Sequence, residues 1–185
     1  MCQARSLGVT TRGTFRPFET PITIREVISR IQRRDYLLPG IQREYVWDTD
    51  QIRRLFDSLL RGYPIGSFLF WKVEEGHKTE YTFYEFLRDF HVRDSVHNPK
   101  ASLLPTGGLT AVLDGQQRLS SLYIGLLETY TDRRRYARGT EGVYATRRLY
   151  INLARQAATD DARFDFRFLE ADAQFVREER VWRAD

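Results

Sequence analysis

The chain has one cysteine, Cys2, one methionine, Met1, and only three lysines, Lys72, Lys78 and Lys100. A single thiol near the chain start excludes an internal disulfide framework and a cysteine-based zinc site. No apolar run is long enough to span a membrane, and the opening MCQARSLGVTTRG lacks the apolar stretch of a secretory signal. The phosphate-loop pattern GxxxxGK[ST] occurs nowhere, and neither does a Gly-x-Ser-x-Gly nucleophile elbow. His77, His91 and His97 match neither helical nor hairpin spacing for a metal pair and read as surface residues. No HNH-like or PD-(D/E)xK spacing is present either. These absences predict a soluble, cytoplasmic protein with no membrane partner and no hydrolase or nuclease centre of the familiar kinds.

What is present suits a globular domain. Hydrophobic residues make up 42% and charged residues 29%, which rules out a disordered chain. A domain of 185 residues hides about 70% of the surface its unfolded chain exposes, enough for a real core. Of the 29 basic residues 26 are Arg. The planar guanidinium fork binds phosphate well, but codon bias in a GC-rich genome gives the same ratio. With 25 acids against 29 bases, bulk charge supports a phosphate-binding role only weakly.

Periodicity predicts a helix from Thr23, with Glu26 at capping-box spacing and Ile24, Val27, Ile28 and Ile31 on one face. An extended piece, Tyr36-Leu37-Leu38-Pro39, follows. A second helix opens at Asp48 or Thr49, turns Ile52, Leu55, Phe56, Leu59 and Leu60 inward, and stops at Gly62 and Pro64. Residues 67–73 read as a buried strand. The pattern then weakens over 74–108, where 82–90 suggests a short helix with its aromatics inward. Leu109-Thr110-Ala111-Val112-Leu113 is a strand, and a helix with Leu119, Leu122, Tyr123, Leu126 and Leu127 follows. Residues 149–153 and 164–169 are two more strands, and 171–180 a last helical piece. This order predicts an α+β fold.

Two clusters carry possible chemistry. In Asp114-Gly115-Gln116-Gln117-Arg118, a glycine joins a strand to a helix. The free N–H groups of the helix start attract phosphate, Arg118 can reach the same anion, and Asp114 can hold a metal ion or orient water. Asp114 is equally a good helix cap. In Gln42-Arg43-Glu44-Tyr45-Val46-Trp47, the polar and aromatic side chains can grip a base and phosphates. Tyr45 and Trp47 also fit a core alternation. Trp47 is expected to pack near Ile52 as a staple, and Tyr45 to serve ligand binding more than folding.

Taken in order, three blocks resemble the N-terminal domain of GmrSD-type restriction systems, a family grouped with ParB-like nuclease domains. The first runs from Gln42 to Asp48. The second holds Gln51-Ile52, Leu55 and Asp57-Ser58-Leu59-Leu60-Arg61-Gly62-Tyr63-Pro64-Ile65-Gly66. The third runs from Val112 to Leu122 through Asp114-Gly115-Gln116-Gln117-Arg118. Arg148-Leu149-Tyr150-Ile151-Asn152-Leu153 and Phe166-Arg167-Phe168-Leu169 are similar to the family's later strands, so the resemblance covers most of the chain.

The resemblance implies a ParB/sulfiredoxin-like mixed sheet flanked by helices. It implies a ParB-like domain over 14–170, to which composition adds a frayed, polar terminus over 1–13 and the weakened pattern adds an insertion at 74–108, with 171–185 the start of a following helical segment or a truncated C-terminal region. It implies a regulatory domain of a prokaryotic anti-phage, modification-dependent restriction system. That domain binds, and as an NTPase hydrolyses, a nucleoside triphosphate with Mg2+, with GTP, UTP, CTP and ATP undistinguished. The implied nucleotide ligands are Gln42, Arg43, Tyr45, Gly115, Gln116, Gln117 and Arg118, with Asp114, Gln117 and Arg118 catalytic. Gln116 stands where ParB relatives carry a metal-binding Glu, which leaves the metal to Asp114 or to phosphates and water. DNA, modified phage DNA included, is the second partner, met by Arg133, Arg134, Arg135, Arg147 and Arg148. Cleavage is implied for a C-terminal HNH-type nuclease domain or partner subunit. The alternative is a ParB-like DNA-binding module without triphosphate turnover.

Overall fold

The computed structural model describes residues 20–41, 44–93, 97–103, 109–133, 143–157, 161–170 and 181–183. Two of its helices begin where the sequence supplies a side-chain cap. Helix α1 (Ile24–Gln32) opens on Thr23, whose Oγ1 accepts the Glu26 N–H at 3.2 Å. The Glu26 carboxylate is taken up by Arg30 Nε at 2.8 Å, one turn on. Helix α2 (Thr49–Leu60) opens on a reciprocal capping box. Asp48 Oδ1 accepts the Gln51 N–H at 2.8 Å, and Gln51 Oε1 accepts the Asp48 N–H at 3.0 Å. It closes in a Schellman turn, with Tyr63 N–H on the Ser58 carbonyl at 2.9 Å and Gly62 N–H on the Leu59 carbonyl at 3.0 Å. Helix α3 (Gln116–Leu126) differs, because its N-cap is Gly115, which has no side chain to give.

The strands of the described residues are β1 (Tyr36–Pro39), β2 (Leu69–Val73), β3 (Phe83–Tyr84), β4 (Phe90–His91), β5 (Leu109–Asp114), β6 (Tyr130–Arg133), β7 (Tyr144–Gln156), β8 (Phe164–Glu170) and β9 (Val181–Arg183). They form two mixed sheets. One has the order β2-β5-β1-β3; the other runs β4-β6-β7-β8, with β9 pairing β7 beyond β6. β1 and β5 are parallel, with Tyr36 opposite Thr110 and Leu37 opposite Ala111, so both strands end at the same edge. The architecture is α+β.

One core joins the layers. Ile52 and Phe56 of α2 and Leu119, Leu122 and Ile124 of α3 meet Leu149 and Phe166 of the second sheet. Asp57 closes this packing with polar bonds. Its Oδ1 accepts the Arg163 and Phe164 N–H groups at 2.9 and 2.8 Å, and Oδ2 faces Arg61 Nη1 at 3.2 Å. A buried carboxylate thus ties α2 to the turn before β8.

Three expectations change: Leu60 of α2, expected inward, is 53% exposed, and two segments differ from the elements read for them. The strand at 67–73 is an edge strand rather than a buried one, with Leu69 56% exposed, because β5 covers it on one side only. Residues 82–90 form no helix. Glu85 N–H bonds the Pro99 carbonyl and Ala101 N–H the Phe83 carbonyl, both at 2.8 Å, and these pairings hold 83–85 extended, after which the chain bends at 88–89. Its aromatics Phe83, Phe86 and Phe90 are buried as expected. The stretch 74–108 supplies β3 to one sheet and β4 to the other, and β6 is a strand the periodicity did not show. The frayed 1–13 and helical 171–180 segments lie outside the described residues.

Candidate functional site

Where β1 and β5 end side by side, the chain leaves through Pro39-Gly40 and Asp114-Gly115. The carboxyl ends of parallel strands are the usual ligand edge of an α/β sheet. Gly115 sits at φ +87°, and a Cβ there would land on the Phe68 ring and 3.2 Å from Arg118 Nη2. Only glycine fits both the left-handed backbone and the close ring. The turn presents the first-turn N–H groups of α3 with no capping side chain over them.

Arg118 lies one turn into α3 and is 20% exposed. Nη1 donates to the Ile65 carbonyl and Nη2 to the Ser67 carbonyl at 2.9 Å. Its guanidinium stacks over Phe68 at 4.8 Å and lies 3.6 Å from the Asp114 carboxylate. Gly66, at φ +85°, has no Cβ to push it aside. Besides standing within reach of the helix start, Arg118 pins the 65–68 turn to α3. Asp114 keeps 68% of its side chain exposed at the end of β5.

Gln117 clamps the other flank. Its Nε2 donates to the Glu44 carbonyl at 2.8 Å and its Oε1 accepts the Val46 N–H at 3.1 Å, as a neighbouring strand would. Below it the Tyr45 hydroxyl meets Ser121 Oγ at 2.8 Å, and Ser121 donates to the Gln117 carbonyl at 2.7 Å. Tyr45 is 3% exposed and stacks edge-on with Phe90. Burial pushes its hydroxyl well above the ordinary phenol range. Trp47 is half-buried and lines an open hollow of about 360 Å3 with Gln51, Arg54, Leu55, Pro64 and Arg118. Trp47 packs against the core cluster of Ile52 and Leu55, as expected, but keeps an open side, whereas Tyr45, expected to serve ligand binding more than folding, is core.

A cleft of about 310 Å3 opens beside these clamps, lined by Leu38, Gly40, Glu44, Tyr84, His97 and Gln116 among others. Gln42 and Arg43 lie outside the described residues, but Gly40 and Glu44, which bracket them in sequence, both line the cleft. The two sequence clusters thus meet at one opening.

A family model described as the GmrSD restriction endonuclease, N-terminal domain, matches residues 24–181. The chain belongs to this family. An uncharacterised protein of Methanocaldococcus jannaschii is 31% identical over 102 residues, covering 55% of this chain and 16% of that protein. The chain therefore spans about a sixth of the length of that curated relative.

The described arginines among residues 133–148 do not all share one face. Arg133 is exposed at the end of β6, while Arg134 and Arg135 lie outside the described residues. Arg147 Nη1 pairs with Asp132 Oδ1 at 2.6 Å, and Arg147 stands opposite Glu170 in the sheet. Strand alternation puts Arg147 on the face of buried Ala145 and Leu149 and Arg148 on the other. The Arg147-Arg148 pair forms no single basic patch. Among the described residues no group of three or more His, Cys, Asp or Glu is placed to hold a metal ion. No described helix is long and apolar enough to cross a membrane.

Sequence reasoning gave no role to Asp57, Gly66 or the Glu44–His97 pair. Asp57 and Gly66 stood inside the second family block, so their place there was the available signal. His97 carried none, since its partner lies far away in sequence.

Proposed function

We propose that this domain binds a nucleoside triphosphate with Mg2+ at the cleft between the 40–44 segment and the start of α3, and hydrolyses it. In this reading it is the regulatory, ParB-like part of a modification-dependent anti-phage restriction system. A C-terminal HNH-type nuclease domain or partner subunit cuts the DNA. The observation that carries the reading is the convergence of two distant motifs at the shared ends of β1 and β5, beside a glycine-capped helix start. The N–H groups of that helix start and Gly115 take the phosphates. Gln116, with Gln42 and Arg43, contacts the nucleotide. Arg118 adds positive charge behind the phosphates, and Gln117 holds the 44–46 segment in place. Asp114 is the one carboxylate of the turn. Mg2+ suits a site with one or two carboxylates, its other ligands being phosphate oxygens and water. When bound, it would neutralise phosphate charge. Arg133, Arg134, Arg135, Arg147 and Arg148 are assigned to DNA phosphates only, with Arg147 weakened by Asp132.

Phosphate release from GTP, UTP, CTP and ATP, with and without Mg2+, tests the activity. Mg2+-dependent release from at least one of them is expected. Release from none, with the protein folded, contradicts the hydrolytic half of the reading.

A further inference from the structure

One pair of side chains in the cleft takes no part in holding phosphates yet is arranged for proton transfer. His97 Nδ1 lies 2.6 Å from Glu44 Oε1. In the neutral imidazole, a carboxylate at that distance accepts the Nδ1 proton and leaves Nε2 as the accepting nitrogen. Both residues line the cleft together with Gln116, the first residue of α3. Both are also anchored. The Glu44 carbonyl is gripped by Gln117 Nε2. The chain after His97 is tied to the strand below it: Asn98 Nδ2 donates to the Glu85 carbonyl at 2.7 Å, and the Pro99 carbonyl accepts the Glu85 N–H at 2.8 Å. The imidazole itself is 81% exposed where it lines the cleft.

From this geometry we infer that His97 is the general base of triphosphate hydrolysis and that Glu44 is its positioning residue. The inference rests on the triphosphate reading of the same cleft. Water gives a proton to His97 Nε2 as its oxygen forms the bond to the γ-phosphorus. The bond from the γ-phosphorus to the β–γ bridging oxygen breaks, leaving nucleoside diphosphate and inorganic phosphate. His97 then returns its proton to solvent. Catalysis by a positioned base is worth about 10²–10⁴-fold in rate, which sets the effect to be measured.

The test measures triphosphate affinity by calorimetry and turnover by phosphate release, each with the four Mg2+ triphosphates. The proteins are the parent chain and its His97→Gln, His97→Ala and Glu44→Gln variants. At saturating triphosphate, His97→Gln is expected to lose about 10²-fold or more in kcat with its Kd unchanged. Free imidazole is expected to restore part of the His97→Ala turnover, and Glu44→Gln to lose less than His97→Gln without a change in KM. Parent-like turnover in His97→Gln overturns the assignment, and so does a loss that merely follows a loss of affinity. A parent that binds triphosphate without hydrolysing it overturns the base while leaving the binding site standing. A parent that binds none overturns both.

Discussion

Arg118 shows how one side chain can serve two ends. Its guanidinium supports two backbone carbonyls of the 65–67 turn and stacks on Phe68 while sitting one turn from the helix start that no side chain caps. Hydrogen bonds to a charged donor are worth about 1.5–3 kcal/mol each. Arg118→Ala is therefore expected to lower triphosphate affinity and also to cost about 1.5–3 kcal/mol of folding stability, chiefly through the part-buried bond to Ile65, since the bond to Ser67 is exposed to water, read by calorimetry and by urea unfolding. Unchanged stability would show that the turn is held without it. The Tyr45 and Trp47 pair separates in the same way. Tyr45→Ala removes a ring from the buried core and is expected to cost about 3–5 kcal/mol. Trp47→Ala should cost clearly less, because one face of its ring already meets the open hollow. Melting curves in which Trp47→Ala is the more damaging change would reverse this ordering. At Gly115, an alanine must adopt the left-handed backbone at about 1–2 kcal/mol and displace the Phe68 ring. Gly115→Ala should thus lose both stability and triphosphate binding.

At the scale of elements, Asp57 is the joint between α2 and the second sheet. Burial alone would raise its carboxyl, but the Phe164 and Arg163 N–H groups and the Arg61 guanidinium outweigh it and hold it below its ordinary value. A carboxyl lowered by folding adds stability above the unfolded value of about 3.9, and that stability fades as pH falls through the folded value. The stability gap between the parent and Asp57→Asn should therefore be full at neutral pH and narrow below about pH 4. A gap that stays constant down to strong acid would show that the Asp57 charge has no part in the joint. The sequence announced this helix well: Asp48, the spacing of Ile52, Leu55 and Phe56, and Gly62 with Pro64 marked its start, inner face and end. It announced β1, β5 and α3 for similar local reasons. What it did not announce depends on distant partners. The backbone at 83–85 is extended because 99–101 pairs with it, and no residue within 82–90 encodes that pairing. Tyr45 and Trp47 have the same alternating spacing, and only the packing of Phe90 and Ser121 around one of them decides which is buried. The candidate site was legible as two motifs. That Gln117 is occupied by the 44–46 backbone, and that His97 arrives from elsewhere to face Glu44, was not.

At the scale of the whole molecule, the parallel pair of β1 and β5 gives this restriction-family domain one edge at which its cleft opens. It places a loop from one motif and a helix start from the other at one edge, and side-chain clamps from Gln117 and Arg118 hold the flanking segments there. The arginines of the second sheet are divided between two faces and partly neutralised. Any DNA contact by this chain is therefore expected to be weak, to fall steeply with salt, and to occur without cleavage of plain or modified phage DNA. Metal-dependent nicking abolished by Asp114→Ala would contradict that assignment of labour. The most direct test of the central claim is a calorimetric titration of the folded chain with each Mg2+ triphosphate, repeated on Arg118→Ala. Saturable binding by the parent, tighter than about 1 mM or roughly −4.1 kcal/mol, and weaker binding by the variant is the predicted result. No binding of any triphosphate by the folded parent, or equal binding by both proteins, would contradict it.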